Sequence, residues 1–431
     1  MHLDQDAAPS ATAKEDACPR NPAGPPLSPH RTASPSSLNN RTILLFAVAS
    51  GLAVANAYFA HPLLDVMADD LGLSRTVAGL IVGATQLGYG LGLLLLVPLG
   101  DLLDRRKLIV GQSMLSVLAL AAVGFSQSAA MLLGAMAAVG LLAVVTQALV
   151  AYAASLARPF ERGHVVGIVT SGIVIGILLA RTVAGALTDL SGWRTVYFVS
   201  AVLTLVIALL LWKMLPRQER SATGLSYGRL IASLVTLIVE EPVLLIRGII
   251  AMLIFANITT LLTPLVLPLS APPFSFSHTQ IGLFGLAGVA GALGATRAGR
   301  WTDRGHGQRM TGIALGLMLL SWLLITQLNR SILWLIAGVL IIDFGLQAVH
   351  VTNQAMIYRV RPEAQNRLTA AYMVFYSIGS ATGSSLSTVA YAHAGWPGVC
   401  ALGAAISLIA LLFWAVTRKA MPAGATMPLQ P

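Results

Sequence analysis

A chain of 431 residues with 56% hydrophobic and 10% charged residues lies far from the ~25% charge of a typical soluble domain. Folded in water it would expose more apolar surface than a monomer tolerates, which excludes the ordinary soluble classes. A net charge of +10 would suggest nucleic acid in such a domain, but here the basic residues sit between apolar blocks, where they set membrane topology instead.

Residues 1–40 are rich in Pro, Ala and Ser. They lack the 7–15-residue apolar centre of a signal peptide and read as a disordered cytoplasmic tail. Twelve apolar blocks follow, at 43–68, 76–99, 108–126, 129–156, 164–187, 195–214, 246–269, 279–299, 310–328, 331–357, 368–392 and 396–417. Each has roughly the twenty residues that a ~30 Å hydrocarbon core demands of a helix. Barrel strands would instead show ~10-residue alternating segments. The expected fold class is therefore an all-α polytopic membrane protein with twelve transmembrane helices. With both termini inside, the outer loops carry only Arg75, Arg194 and Arg330, Arg181 falls within a span, and the rest of the 27 Lys and Arg residues face the cytoplasm. That asymmetry fixes the orientation. Cys18 and Cys400 form no metal or disulfide constellation.

The blocks divide into six-helix bundles at 41–214 and 246–418, joined by a polar linker at 215–245 and followed by a short cytoplasmic tail at 419–431. Within the linker, "LSYGRLIASLVTLIVEEP" reads either as an amphipathic helix ended by Pro242 or as a plain connection. The halves repeat. "RPFERGH" at Arg158 returns as "RPEAQNR" at Arg361, and Gly192–Trp193 return as Gly395–Trp396, both 203 residues on; Asp101 and Asp303 stand 202 apart. Two parallel repeats that rock about a shared interface suit alternating access.

After span two comes "PLGDLLDRRK" and after span eight "GRWTDRGHGQR". Both resemble the cytoplasmic loop motif of the major facilitator superfamily, through Asp101, Arg105 and Arg106 in the first copy and Gly299, Asp303 and Arg304 in the second. An Asp there is able to accept N–H groups from a neighbouring helix and to pair with cations, latching the inner side; the basic residues also enforce topology. The resemblance covers about 41–418 and is nearest to the bacterial twelve-span drug- and sugar-efflux proton antiporters. The chain departs from that group in having Met136 rather than Arg in span four, and Ala180, Arg181 and Thr182 where a Gly-Pro pair is usual in span five. The resemblance implies a major facilitator fold in which spans one, four, seven and ten line a central cavity, and spans two, five, eight and eleven meet between the halves.

Several polar residues interrupt the apolar blocks. Asp343 lies ~20 Å and ~24 Å of helix from Arg330 and Arg359, close to mid-membrane. An ionised carboxylate there costs at least ~2.5–3.5 kcal/mol, so it belongs on the bundle interior as a candidate for proton coupling. Gln347, His350 and Gln354 share its face at i+4, i+7 and i+11. Arg181 either snorkels outward or pairs with Asp343. Asn56, Tyr58, Gln147, Asn257, Gln347 and His350 are the candidate cavity residues. The expected partners are a small-molecule substrate, protons and the lipid bilayer, with no nucleic acid, and the chain is expected to function as a monomer. No phosphate loop, paired catalytic acids or His/Cys metal cluster is present in the sequence. The chain therefore reads as a non-enzyme without cofactors, driven by an ion gradient. The expected function is proton-coupled efflux of a small organic molecule across a bacterial inner membrane. A proton-driven importer or uniporter, and a transport-inactive sensor or scaffold, are the alternatives.

Overall fold

In the computed structural model the described residues are 39–157, 162–216, 227–287, 301–360 and 365–419, and their regular structure is entirely helical. In chain order the helices are α1 (Asn40–Tyr58), α2 (Leu64–Asp70), α3 (Arg75–Leu95), α4 (Arg105–Gly124), α5 (Ala129–Ala143), α6 (Val145–Leu156), α7 (Arg162–Ser191) and α8 (Trp193–Met214). There follow α9 (Tyr227–Glu240), α10 (Pro242–Leu262), α11 (Val266–Ser270), α12 (His278–Gly282), α13 (Gly307–Ile325), α14 (Ile332–Tyr358) and α15 (Gln365–Thr417).

Ten helical stretches among the described residues are long and apolar enough to cross a membrane. The last, Arg367–Thr417, contains both the eleventh and twelfth expected spans. Its φ/ψ break falls at Gly395, and Pro397 follows within the same stretch. The eighth expected span, 279–299, lies largely outside the described residues.

The repeat read from the sequence has a backbone counterpart. Gly192 and Gly395 both adopt positive φ, 83° and 59°, a conformation that favours glycine because a Cβ would clash there. Each turns the chain at a helix junction and is followed by a buried Trp. Trp193 Nε1 donates to Asp70 Oδ2 at 3.3 Å and Trp396 Nε1 to the Ile325 carbonyl at 3.2 Å. A second pair of matched breaks lies in spans one and seven. α1 ends at Tyr58 before the 3-10 turn His61–Leu63, with Pro62 in its first turn, and α10 ends at Leu262 just before Pro264. Proline removes an intrahelical donor and crowds the preceding turn, so both helices stop and restart as the short segments α2 and α11.

Within the amino-terminal set, α3 packs on α5, α1 on α7 and α4 on α8; within the carboxy-terminal set, α10 packs on α15 and α13 on α14. Across the seam between the sets, α3 lies along α15 and α7 meets α12. The linker stretch from Tyr227 does form a helix. α9 buries Leu234 and Leu237, and Tyr227 Oη donates to the Leu95 carbonyl at 2.7 Å. Pro242 then occupies the first turn of α10, where its missing N–H costs nothing.

Candidate functional site

Tyr58 closes α1 immediately before the Pro62 break, and from that position its ring reaches the seam. Its hydroxyl lies 2.6 Å from that of Tyr376 on α15. Around this pair the side chains are aromatic, charged or amide. The Arg181 guanidinium, from α7, stands 5.9 Å from the Tyr58 ring centroid, and the His61 ring stacks on Tyr58 at 5.7 Å. Tyr376 contacts Phe255 edge-on at 4.3 Å and Tyr89 at 6.1 Å, and it is hydrogen-bonded to Gln86. Tyr89 in turn accepts from Gln147 Nε2 at 3.3 Å. Phe255 also meets His350, whose Nδ1 lies 3.0 Å from Tyr372 Oη.

Asp343 and Arg181 bring the two charges. Asp343 is partly buried on α14, and Arg181 lies in the fields of Asp343, Tyr58 and Tyr376. Arg181 Nε is buried with no hydrogen-bond partner among the described residues. Its stem packs where α7 meets the segment after α12, since a Cβ added at Gly285 would lie 3.2 Å from Arg181 Cδ. The guanidinium is therefore turned into the seam rather than outward along the helix. A guanidinium only donates, a carboxylate only accepts, and phenols do both. The cluster is thus able to bind a solute with an aromatic or apolar body and a few hydrogen-bonding groups.

The two ends of the seam differ. At the end carrying Arg105, a cavity of about 330 Å³ separates the sets, lined among others by Arg105, Gln147, Leu234, Tyr358, Arg367 and Met373. Gln147 connects this cavity to Tyr89 and hence to the tyrosine cluster. The far end is shut by backbone contact. A Cβ at Gly185 would lie 2.2 Å from the His278 carbonyl, and one at Gly79 would lie 2.5 Å from the Ser384 carbonyl. Thr182 Oγ1 also donates to the Gly282 carbonyl at 3.2 Å. Among the described residues, space on one side and backbone contact on the other leave the site open at the end carrying Arg105.

Two expected cavity residues are placed inside the helix sets rather than in the cluster. Asn56 is 3% exposed, with its Oδ1 accepting from Ser200 on α8 at 2.5 Å inside the amino-terminal set. Asn257 is 1% exposed and tied to the Gly403 carbonyl, Ser407 and Trp322 inside the carboxy-terminal set. The reason is helical geometry. Asn56 is two residues from Tyr58, and Asn257 two from Phe255, so each points about 200° away from the residue that faces the seam. Tyr58, Gln147 and His350 do join the cluster, and Gln347 is partly buried one turn from Asp343.

In the loop motif, Gly299 lies outside the described residues, as do the side chains of Asp101 and Asp303. Arg105 donates from Nε to the Gly100 carbonyl at 3.3 Å and from a terminal nitrogen to the Ala151 carbonyl at 3.4 Å, and lines the cavity. Arg106 bonds the Trp212 carbonyl and stands 5.5 Å from that ring. Asp104 caps α4 through the N–H of Arg106 at 2.9 Å. Arg304 is exposed. Sequence reasoning did not single out Tyr89, Tyr372, Tyr376 and Phe255, since an aromatic residue in an apolar block carries no signal that separates it from a packing residue. It also counted Arg247 among the cytoplasmic basic residues. That side chain is 1% exposed and donates to Thr311 at 3.0 Å and Asn353 at 3.2 Å.

The family model of the major facilitator superfamily matches residues 45–271 and 248–428. A putative uncharacterized transporter of Escherichia coli, YgaY, is 49% identical over 377 residues, covering 88% of this chain and 95% of that protein. A probable sugar efflux transporter of Haemophilus influenzae is 22% identical over 261 residues, covering 60% of this chain and 63% of its own. Among solved structures, a bacterial homologue of the human lysosomal transporter Spinster, in an inward-facing and unoccupied conformation, superposes with a TM-score of 0.70 at 14% identity, covering 88% of this chain and 96% of its own. The family match, the repeated helical halves and the charged seam between them agree: this chain belongs to the major facilitator superfamily and is a membrane transporter rather than an enzyme.

Proposed function

We propose that the protein exports a small organic molecule from the bacterial cytoplasm in exchange for protons, by alternating access, across the inner membrane and with both termini cytoplasmic. The observation that carries this reading is the unequal seam: an open cavity at the basic end and sealed backbone at the other, with the Tyr58–Tyr376 pair, Arg181 and Asp343 between them. The positive-inside bias makes the basic end cytoplasmic, so the cavity would admit solute from inside. Asp343 is the proton-coupling residue. Its carboxylate is costly at mid-membrane unless paired or neutralised, so the nearby Arg181 charge stabilises the ionised form and protonation releases Arg181. Tyr58, Tyr89, Gln147, Gln347 and His350 contact the substrate. The efflux name carried by the Haemophilus relative supports the direction of transport.

The cluster suits a neutral or weakly charged solute with apolar body, which includes amphipathic drugs and sugars. Purified protein in liposomes, with an imposed pH gradient and a panel of labelled sugars, drugs and amino acids, tests the reading. Uptake of a compound against its gradient, lost on adding a protonophore, is the expected result; transport indifferent to the protonophore would reduce the protein to a uniporter.

A further inference from the structure

The far end of the seam holds a constellation that the transport reading leaves unused. His278, at the start of α12 in the carboxy-terminal set, presents both ring nitrogens to carboxylates of the amino-terminal set. Nε2 lies 3.2 Å from Asp65 Oδ1 on α2, and Nδ1 lies 3.0 Å from Asp189 Oδ1 on α7. A neutral imidazole has one N–H and one lone pair. Facing two carboxylates, the neutral ring would hold its lone pair against an acceptor oxygen, whereas the imidazolium donates to both. The closed geometry thus selects the doubly protonated ring.

We propose that His278 is a proton-operated latch of the far end, whose imidazolium ties Asp65 and Asp189 across the seam and whose deprotonation loosens the seal. The latch sits at the seal itself, since the carbonyl that a Cβ at Gly185 would strike belongs to His278. The other ionisable groups on the surrounding elements do not replace it. On α2, Asp70 is engaged by Arg194 and Trp193, leaving Asp69. α7 adds Arg181, which lies in the tyrosine cluster, and the His61–Leu63 turn adds His61, stacked on Tyr58. α11 and the segment 283–287 carry no ionisable side chain.

The hydrogen bond to Asp65 raises the His278 pKa above its ordinary value; burial opposes this, and the Asp65 charge and the Asp189 contacts add to the rise. The sign follows from linkage. With the far end open, His278 leaves its carboxylates and returns toward ~6.5. Stabilisation of the closed end is fully present below that value and is lost as pH rises through the closed-state pKa. The effect is bounded, because Asp189 also accepts from the backbone N–H of His278 at 3.2 Å and from Thr279 N and Oγ1 at 2.9 and 2.6 Å, which do not titrate. Acid at this face closes it; alkali permits opening. Only the naming of this face as the outer one rests on the transport reading.

Spin labels at Gln127→Cys and Asn329→Cys, two exposed positions in loops at this end, report the seam by distance measurement in lipid nanodiscs, with Cys18 and Cys400 replaced by Ser. In otherwise native protein the closed-to-open ratio should fall as pH rises from 6 to 8, the direction set by the raised closed-state pKa. His278→Gln should flatten the curve, and Asp65→Asn should move its midpoint to lower pH. The proposal is overturned if the native protein shows no pH dependence, if His278→Gln keeps it, or if Asp65→Asn leaves the midpoint in place. Should the Gln variant not fold, the Asn variant decides. The labels read the seam whether or not any substrate or proton is transported, so failure of the latch and failure of the transport reading remain distinguishable.

Discussion

Tyr58 and Tyr376 meet hydroxyl to hydroxyl at 2.6 Å, one from the last turn of α1 and the other from α15, so this bond, beside that of Tyr376 to Gln86, joins the two halves at the depth of the charged cluster. Alternating access requires such a contact to break and re-form. Tyr58→Phe and Tyr376→Phe should each lower stability by about 0.5–1.5 kcal/mol, the net worth of a hydrogen bond. The double variant should lose little more than Tyr376→Phe alone, because both substitutions remove the shared bond and only Tyr376→Phe also removes that to Gln86. Thermal unfolding of the four proteins checks the cycle; additive losses would mean that the hydroxyls act separately.

Gly185 and Gly79 hold the far end together by lacking a side chain. With Cβ positions 2.2 Å from the His278 carbonyl and 2.5 Å from the Ser384 carbonyl, Gly185→Ala and Gly79→Ala should keep that end from closing. Folded protein should still be obtained, while transport falls at least about tenfold, the equivalent of ~1.4 kcal/mol. Gly140 offers the contrast. Its Cβ would lie 1.8 Å from the Thr85 carbonyl within one set, so Gly140→Ala should reduce the yield of folded protein itself. Size-exclusion profiles alongside uptake rates separate the two behaviours.

Asn257 should prove structural. Its amide bonds the Gly403 carbonyl and Ser407, and its oxygen accepts from Trp322. Asn257→Ala leaves buried partners unsatisfied and should cost about 1–3 kcal/mol. The transported compounds should be the same as for the native protein. A changed substrate profile at unchanged melting temperature would return Asn257 to the cavity.

Gln147 should behave in the opposite way. It lines the cavity and donates to Tyr89, so Gln147→Ala should raise the half-saturating substrate concentration with little change in unfolding temperature. A loss of stability without an effect on transport would contradict its placement.

Much of this architecture was legible in the sequence because the membrane imposes simple rules: long apolar blocks and sorted basic residues. The 203-residue echo of Gly192–Trp193 in Gly395–Trp396 was legible too, and its physical reason is the positive φ that both glycines adopt. Of the candidate site, the sequence marks only the charges. Asp343 and Arg181 stand out because ions are expensive in lipid, whereas Tyr89, Tyr376 and Phe255 are indistinguishable in sequence from packing aromatics. Asn56 and Asn257 lie outside the cluster for the complementary reason. A polar side chain in an apolar helix must find a partner, and nothing in the sequence says whether that partner is a solute or, as here, Ser200 and Ser407. Arg247 was hidden by its place as the second residue of the apolar block 246–269, where a basic residue reads as an inner-end charge rather than a core one.

The most direct test compares native protein with Asp343→Asn in everted membrane vesicles holding a preset pH gradient. The account predicts that a transported compound dissipates the gradient with native protein and not with the variant, which should still exchange labelled for unlabelled compound across the membrane. Equal dissipation by both proteins would contradict the central claim that Asp343 carries the coupling proton.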